Sequence, residues 1–391
     1  MAAESAKEFE ALEAQATTLL DVFRRAGYEQ VAPSIIQPAD IFLDQIGEEI
    51  RNRTYVFTDL AGDELCLRPD LTVPVSRLYL ERHPGAQTEA RFCYNGPAFR
   101  FFPGRSNQAH PREFRQAGIE CFGAQDRESA DVEIVLLAVE AVRAVGLMDF
   151  RLRFGDIALF FALLDALDLP ERWRFKLRHY FWRPPLFHKL LTGLAEGERK
   201  ESNGPVSAFA ATLARSSQEK AEEAVAAYLE REGVPLAGNR TLGEITARLL
   251  DLAADLRAKP LPKEVATVID YYLAVAGPPH EAVSRVALIA KGAGIDLDAA
   301  LDDCVRRFER LRKNGLDLSR ATFATEFGRD LEYYSGLVFQ IEVADGRNAS
   351  QIAGGGRYDG LLANIGAPRE VPAIGSAIHT ERLLAAVERT S

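Results

Sequence analysis

Residues 90–123, ARFCYNGPAFRFFPGRSNQAHPREFRQAGIECFG, contain two strand-like segments joined by a polar loop. In the second segment the side chains alternate between two faces, as they do in a β-strand. One face is small and largely apolar. The other consists of Phe114, Gln116, Gly118, Glu120 and Phe122. The pattern predicts a hairpin whose second strand presents a polar floor.

Gly118 lies between the two polar residues of that floor, Gln116 and Glu120. Because glycine has no side chain, it is expected to leave room above the backbone for a ligand. Arg100, at the end of the first strand, could add a fixed positive charge. The same pattern is also typical of an ordinary hairpin with one solvated face, so this segment alone leaves both interpretations open.

The overall composition is that of a globular protein, with 47% hydrophobic and 27% charged residues among 391. The formal net charge of −10 argues against a broad nucleic-acid surface. The first residues, MAAESAKEFE, lack the basic and then apolar pattern of a signal peptide. No apolar run approaches the length of about 18 residues that predicts a membrane helix. We therefore expect a cytoplasmic protein with no membrane contact.

The cysteines and histidines show no metal-binding spacing. The sequence contains no Cys-x-x-Cys pair and no His-x-x-x-His pair, so neither a metal site nor a bound cofactor is expected. The cysteines are predicted to be small buried hydrophobic residues; they are Cys66, Cys93, Cys121 and Cys304.

The N-terminal part combines helix and strand patterns. Residues 4–26 predict an amphipathic helix, and the following segment, with Pro33 and Pro38, favours an edge or interface strand. Strands are expected at 55–58 and 64–68, followed by a helix from about Val73. Asp70 and Thr72 lie where the strand gives way to that helix, so one of them is a candidate N-cap.

From residue 157 to residue 316 helical periods predominate and proline–glycine breaks recur. We predict a mainly helical insertion there, between a first core segment at 1–156 and a second at 317–391. An aromatic cluster within the insertion is interpreted as core or interface packing, with a base-stacking platform as the alternative. Its members are Trp173, Phe175, Tyr180, Phe181 and Trp182.

Three further features complete the pattern. The segment 129–147 predicts a helix capped by Ser129 or Asp131, and the segment 337–343 predicts a strand. The glycines at 354–356 are expected to form a tight turn that brings the backbone close to a ligand. They are not a phosphate-binding loop, because no Gly-Lys-Ser/Thr follows them.

Taken together, these motifs resemble the catalytic core of histidyl-tRNA synthetases, which are class II aminoacyl-tRNA synthetases. The most specific element is GRDLEYYSGLVF (328–339), which looks like the histidine-binding loop of that family. The segments at 67–77, 90–123, 354–362 and 375–384 match further family motifs in the same order. The resemblance covers about 5–155 and 320–385 and implies an α+β fold. Its core is an antiparallel sheet flanked by helices, dimeric through the N-terminal helix and the proline-bearing strand.

The resemblance also implies a pocket for histidine. Asp70 replaces a family glutamate and keeps a carboxylate that could pair with an α-ammonium group. Arg100 could meet the ligand carboxylate, and Arg329 matches an arginine that faces the α-phosphate in the synthetases. The other residues that match the family's histidine-binding set are Thr72, Gln116, Glu120, Tyr333, Tyr334 and Tyr358.

Several departures from the family pattern affect the ATP and tRNA sites. Phe102 stands where the synthetases carry a glutamate for adenine, His110 replaces a triphosphate-binding arginine, and His379 replaces a glycine. Arg382 matches the motif 3 arginine that faces the triphosphate. The printed sequence ends nine residues after Arg382, so no anticodon-binding domain and no tRNA binding are expected. The resemblance therefore implies a retained histidine pocket beside a degraded ATP site.

That combination is similar to the synthetase-like regulatory subunits of ATP phosphoribosyltransferase, the HisZ family. Members of that family are not themselves catalytic, so no catalytic residue is predicted. They assemble as dimers within a hetero-oligomer with the short catalytic subunit, HisG, and enable feedback inhibition by histidine. Two alternatives stay open. The chain could be a histidine-adenylating enzyme, including a truncated synthetase, or a histidine sensor with another partner.

Overall fold

The computed structural model describes residues 5–44, 50, 52–102, 111–197, 204–234, 241–328, 333–345 and 348–390. The chain forms two compact units. The first combines Met1–Leu167 with Tyr271–Ser391, and the second is Asp168–Asp270. The helical segment predicted at 157–316 therefore contains the whole second unit together with helices that belong to the first.

The first unit is built on a nine-stranded sheet in the order β1-β5-β6-β12-β11-β10-β7-β9-β8, beside a three-stranded sheet in the order β2-β4-β3. The strands are β1 Glu29–Gln30, β2 Ile36–Pro38, β3 Tyr55–Thr58, β4 Glu64–Leu67, β5 Ala90–Phe99, β6 Glu113–Phe122, β7 Arg151–Asp156, β8 Ala276–Gly277, β9 Ala321–Ala324, β10 Leu337–Asp345, β11 Asn348–Arg357 and β12 Ala373–His379. Neighbouring strands from β5 to β7 are antiparallel, whereas the β1–β5 and β7–β9 pairs are parallel.

The helices of the first unit flank these strands. They are α1 Ala6–Arg25, α2 Asp40–Asp44, α3 Thr72–Arg82, α4 Arg127–Ala144, α5 Ile157–Ala166, α12 Pro279–Ala293, α13 Asp298–Lys313, α14 Leu361–Asn364 and α15 Thr380–Thr390. Helix α1 begins at a capping box, in which the Ser5 hydroxyl accepts from the backbone N–H of Glu8. Gly27, with φ of 88°, follows its end. The α+β core with helices around a largely antiparallel sheet confirms the predicted fold class.

The hairpin predicted at 90–123 is present as β5 and β6, paired from Ala90↔Phe122 to Phe99↔Glu113. Two other expectations were wrong. The glycines at 354–356 lie inside β11, between β10 and β12, and do not form a turn. A Cβ on Gly355 would come within 2.1 Å of the Gly375 carbonyl oxygen, so these glycines allow close approach of neighbouring strands.

The cap predicted for α4 was also misplaced. Asp126 caps this helix by accepting from the Ser129 N–H at 3.0 Å. Asp131 lies one turn further along and is fully buried against arginine side chains. The sequence pattern could not separate these roles, because several helix-start residues occur within one turn.

The small sheet has an apolar face. Ile36, Tyr55 and Leu67 are register partners, as are Pro38, Phe57 and Leu65, so all six side chains point to the same side. Ile36 is 51% exposed and Phe57 is 38% exposed. The other side carries Gln37 and Cys66, which are buried. Strand β2, which ends at Pro38, is an edge strand of this sheet, as predicted.

The second unit is helical. Its helices are α6 Glu171–Tyr180, α7 Pro184–Glu196, α8 Pro205–Thr212, α9 Gln218–Arg231 and α10 Leu242–Asp255, and α11 Lys263–Leu273 begins in it. The predicted packing role is confirmed for Trp173, Phe181 and Trp182, which are buried. The indole N–H of Trp173 donates to Asp255 at 2.8 Å. Phe175 is exposed and stacks with His179.

Candidate functional site

A concave pocket opens in the first unit where β5, β11, β12 and the start of α3 meet. The empty space among its lining residues, counting the open solvent at its mouth, is about 340 Å³. Its described lining residues are Asp70, Thr72, Arg100, Tyr333, Tyr334, Gly354, Tyr358, Gly375, Ser376 and Ala377. Six of the residues predicted for histidine binding therefore lie together in one wall.

Glu120 lies beneath this wall, on β6, and is 1% exposed. Its carboxylate accepts from the Tyr94 hydroxyl at 3.0 Å and from the Tyr358 hydroxyl. The Thr72 hydroxyl is a third hydrogen-bonding partner. A Cβ on Gly375, its neighbour on β12, would come within 1.6 Å of Glu120 Oε2. The carboxyl group therefore occupies space that only a glycine at 375 provides.

Burial raises the pKa of Glu120 to about 7, against the hydroxyl hydrogen bonds that favour the ionised form. Asp70, also buried, repels the same charge and adds to the rise. Glu120 is therefore partly protonated near neutral pH. A cationic group arriving in the pocket would stabilise the ionised carboxylate.

The two carboxylate oxygens of Asp70 have different surroundings. Its Oδ1 accepts from the backbone N–H of Val73 at 3.1 Å and so caps the first turn of α3. Its Oδ2 is buried and accepts no hydrogen bond from the described residues. Burial raises the pKa of Asp70, while the positive charges of Arg100 and Arg68 oppose the rise. An acceptor left without a partner at a pocket wall is a favourable place for a ligand donor.

Arg100 is held in a fixed orientation at the same wall. Its Nε donates to the Pro69 carbonyl at 2.8 Å, and its guanidinium carbon lies 5.1 Å from the ring centroid of Phe114. The predicted positive charge is therefore placed at the pocket, next to the Asp70 carboxylate whose pKa it lowers.

Three tyrosines form the aromatic side of the pocket. The ring centroids of Tyr333 and Tyr334 are 4.8 Å apart, and that of Tyr358 lies 5.7 Å from Tyr333 and 6.4 Å from Tyr334. Both contacts with Tyr358 are edge-on. Tyrosine rings of this kind offer an apolar face together with a hydroxyl, which suits a planar polar ring such as imidazole.

Of the other predicted histidine-binding residues, Gln116 and Glu120 are not among the described residues that line the pocket. Gln116 is buried on β6 opposite His379, and its Oε1 accepts no hydrogen bond from the described part of the chain. Arg329 lies outside the described residues. The pocket was therefore anticipated in its carboxyl, arginine and tyrosine groups, whereas Gln116 is placed below it.

Three of the residues expected to mark a degraded ATP site are described, and none of the three lines the pocket; they are Phe102, His379 and Arg382. Phe102 packs under Arg53, whose guanidinium carbon is 5.1 Å from the ring centroid. His379 ends β12 with its ring 5.1 Å from that of Phe114. Arg382, on α15, donates to the Gln351 carbonyl at 3.2 Å, and burial lowers its pKa. His110 falls outside the described residues.

Tyr94 is the main site residue that sequence reasoning missed. It pairs with Gly118 across the β5–β6 hairpin, and its ring fills the space above that glycine. The expectation that Gly118 leaves room for a ligand was therefore wrong. The signal was available, because the hairpin register places a tyrosine opposite Gly118. Gly375, Ser376 and Ala377 also line the pocket and were not singled out, whereas Gly354, which was expected to approach a ligand, is among the lining residues.

No group of three or more His, Cys, Asp or Glu side chains among the described residues is placed to hold a metal ion. None of the described helices is both long enough and apolar enough to cross a membrane.

Comparison with known proteins places the chain in a family. The family model described as histidyl-tRNA synthetase matches residues 4–257 and 218–383. An ATP phosphoribosyltransferase regulatory subunit from Chelativorans sp. (strain BNC1) is 34% identical over 94% of this chain and 96% of its own length. A regulatory subunit of the same name from Mesorhizobium japonicum (strain LMG 29417 / CECT 9101 / MAFF 303099) is 33% identical over the same shares.

Solved structures agree on the fold. A regulatory subunit/histidyl-tRNA synthetase from Bacillus halodurans C aligns with a TM-score of 0.67 and 19% identity, over 99% of this chain and 82% of that one. A histidine–tRNA ligase subunit from Alicyclobacillus acidocaldarius subsp. acidocaldarius DSM 446 aligns with a TM-score of 0.61 and 25% identity, over 100% and 96%. With the sequence relatives, these results show that the chain belongs to the histidyl-tRNA synthetase-like family of ATP phosphoribosyltransferase regulatory subunits.

Proposed function

We propose that this chain is a non-catalytic regulatory subunit of ATP phosphoribosyltransferase. In this proposal the short catalytic subunit HisG needs it for activity and for feedback inhibition by histidine, in the first step of histidine biosynthesis. The observation that carries the proposal is 34% identity over 94% of the chain to a regulatory subunit of that enzyme. A cytoplasmic location follows from the same proposal.

The pocket supports histidine as the ligand. The open Asp70 oxygen suits an α-ammonium donor, and Arg100 suits the carboxylate. The tyrosine wall, with Glu120 bonded to Tyr358, suits the imidazole. Each charged end of the amino acid would then meet an opposite charge that is already held in place by hydrogen bonds.

The surroundings of the former nucleotide site support a non-catalytic role. Phe102 offers an aromatic ring where an adenine amino group requires an acceptor. A buried donor left unpaired costs about 1–3 kcal/mol. The His379 ring beside Phe114 occupies further space at the same end of β12. Arg382, which matches the triphosphate-facing arginine, donates to the Gln351 carbonyl at 3.2 Å.

Regulation by histidine requires that the ligand bind one state of the assembly better than another. A coupling free energy of about 1–3 kcal/mol is typical for such a switch. Histidine held by groups from β4–α3, β5, β11 and β12 would favour whichever state brings those elements together. In this proposal, the pocket binds histidine more tightly in the state of the assembly in which the catalytic subunit is inhibited.

The decisive experiment mixes the purified chain with the short catalytic subunit. We expect the rate of phosphoribosyl transfer to rise on addition of this chain and to fall when histidine is then added. Glu120→Ala should retain the stimulation and lose the histidine effect. An unchanged rate in the presence of the native chain would refute the proposal.

A histidine-adenylating enzyme is distinguished by a second assay on the isolated chain. Histidine-dependent exchange of pyrophosphate into ATP should be absent. Exchange above the level of an Arg100→Ala variant would favour the enzyme over the regulatory subunit, because Arg100 is a retained residue of the synthetase pattern.

The apolar face of the small sheet supports the homodimer. Side chains such as Ile36 and Phe57 remain half exposed in the single chain, although they belong to one continuous sheet face. Burying apolar area of this kind stabilises association by about 25 cal/mol per Å² before the costs of binding. We propose that a second copy of the chain covers this face within the hetero-oligomer.

A further inference from the structure

Tyr94 holds the Glu120 carboxyl group beneath the pocket. It is fully buried on β5, and its hydroxyl donates to Glu120 Oε1 at 3.0 Å. The ring crosses the neighbouring strand at Gly118, its register partner. A Cβ at that position would come within 2.5 Å of both the Tyr94 Cζ and hydroxyl atoms. The hydrogen bond from Tyr94 to Glu120 therefore requires a glycine at position 118.

Tyr94 is not among the lining residues of the pocket, but it contacts one of them. Its hydroxyl also hydrogen-bonds with Thr72, a residue of the pocket wall. Glu120 is in turn held by Tyr358 from the opposite side. The carboxyl group is thus fixed between two tyrosine hydroxyls, one on β5 and one following β11.

The hydrogen bonds described for Glu120 come from hydroxyl groups, with no cation among the donors that the described residues supply. Hydroxyl donors stabilise an ionised carboxylate without neutralising it. The pKa of Glu120 is therefore set by two opposing effects: burial raises it, and the hydroxyl hydrogen bonds lower it. The titratable or charged groups that surround it are Asp70, Arg68 and Arg100 near the α3 start, Tyr94 on β5, and Tyr358 with Tyr333 beyond β11.

We propose that Tyr94 is a positioning residue for the histidine pocket, whose hydroxyl fixes the Glu120 carboxyl group and so sets the pH range in which histidine binds. The inference rests on the proposed histidine site and adds a residue to it. Tyr94 acts through Glu120 and makes no contact with the ligand.

The direction of the effect follows from the hydrogen bond. The Tyr94 hydroxyl stabilises the ionised form of Glu120, so its removal raises the pKa of that carboxyl group. If ionised Glu120 accepts a hydrogen bond from the imidazole of the ligand, affinity falls as pH drops through the pKa of Glu120. The fall should begin at higher pH when the Tyr94 hydroxyl is absent.

The test measures histidine affinity by calorimetry between about pH 5.5 and about pH 8.5, for the native chain and Tyr94→Phe. We expect the variant to bind about threefold to tenfold more weakly near pH 6.5, with the two curves converging at high pH. Titration of histidine itself is common to both proteins and cancels in the comparison. Tyr79→Phe is the matched control, because Tyr79 is equally buried and donates to the Thr88 carbonyl at 2.8 Å, away from Glu120.

A second comparison separates positioning from general packing. In a Glu120→Gln background, which cannot titrate, Tyr94→Phe should leave the pH profile unchanged. Identical pH profiles for the native chain and Tyr94→Phe would overturn the inference and leave the histidine site standing. Absence of histidine binding by the native chain at every pH would instead overturn the site. If Tyr94→Phe does not fold, Glu120→Gln alone decides, because an unaltered pH profile in it excludes Glu120 as the titrating group.

Discussion

Arg357, at the end of β11, donates two hydrogen bonds to Asp131 on α4, from Nε at 2.9 Å and from Nη2 at 2.6 Å. Both side chains are buried. The second carboxylate oxygen of Asp131 lies 2.9 Å from Nε of Arg307 on α13, and Arg307 donates to Asp156 at 2.8 Å. Asp156 also caps α5 by accepting from the Leu159 N–H at 3.2 Å. A buried ionic chain therefore joins the sheet to three helices.

Asp131→Asn should destabilise the protein strongly. The substitution keeps the shape of the side chain but leaves two buried guanidinium groups without their shared carboxylate. Removing one partner of a buried pair costs about 3–5 kcal/mol. Urea unfolding followed by circular dichroism measures the loss.

The matched control is Asp21→Asn, at an ion pair with Arg24 in which both side chains are about half exposed. Exposed pairs contribute about 0–1 kcal/mol, so this variant should unfold close to the native midpoint. Equal midpoints for both variants would mean that the buried ionic chain adds no net stability.

Gly375→Ala should abolish stabilisation by histidine. A Cβ there would come within 1.6 Å of Glu120 Oε2, so the carboxyl group must leave its position between the tyrosine hydroxyls. The readout is the rise in melting temperature on addition of millimolar histidine. Gly85→Ala is the control, since no atom lies within 4 Å of the added carbon. A full histidine response in Gly375→Ala would show that Glu120 is not needed at its present place.

Stability should fall as pH rises from about 4.5 to about 7. The pKa of Glu120 is raised in the folded protein from 4.5 to about 7, so the folded state binds a proton more tightly than the unfolded chain. Stabilisation from this group is therefore complete below the unfolded pKa and is lost as pH passes the folded one. The difference is at most on the order of 3 kcal/mol.

Unfolding free energies at several pH values test this prediction, with Glu120→Gln as the comparison. In the variant, the unfolding free energy should fall much less with rising pH. A smaller fall should remain because burial also raises the pKa of Asp70. A native protein whose stability increases steadily over the same interval contradicts the prediction.

Ile36→Asp should dissociate the proposed homodimer. A carboxylate on the apolar face opposes the burial of that face, because a charged group without a partner is costly to remove from water. Light scattering on the purified chain gives the mass directly. Leu288→Asp, on the exposed side of α12, introduces the same charge where 68% of the side chain is exposed, and should leave the mass unchanged. A dimeric Ile36→Asp protein would exclude this face as the contact.

Much of the fold followed from local patterns. The alternation from Phe114 to Phe122 predicted β6, and its pairing with β5 needed only the short connection between them. The glycines at 354–356 were wrongly predicted to form a turn, because the need for glycine there does not come from the local sequence. Gly355 is required by the approach of Gly375 on β12, a contact between neighbouring strands that depends on how they pair. Close packing of this kind leaves no periodic signal.

Part of the pocket could also be predicted from the sequence. Carboxylate, arginine and tyrosine positions came from family motifs, and Asp70 proved to combine a helix cap with an open acceptor. Tyr94 escaped because its role arises from the absence of a side chain across the hairpin, at Gly118. Arg357 and Asp131 are ordinary charged residues in the sequence, and only the fold brings them together in the interior.

The strand order has a consequence for folding during synthesis. Strands β10, β11 and β12 lie between β6 and β7 in the sheet, although β7 precedes them in the chain by the whole second unit. Until β10 and β12 have left the ribosome, the inner edges of β7 and β6 are unpaired and can pair with other chains. The nascent protein therefore depends on its final strands to close the sheet, and slow or interrupted translation before β10 should favour aggregation.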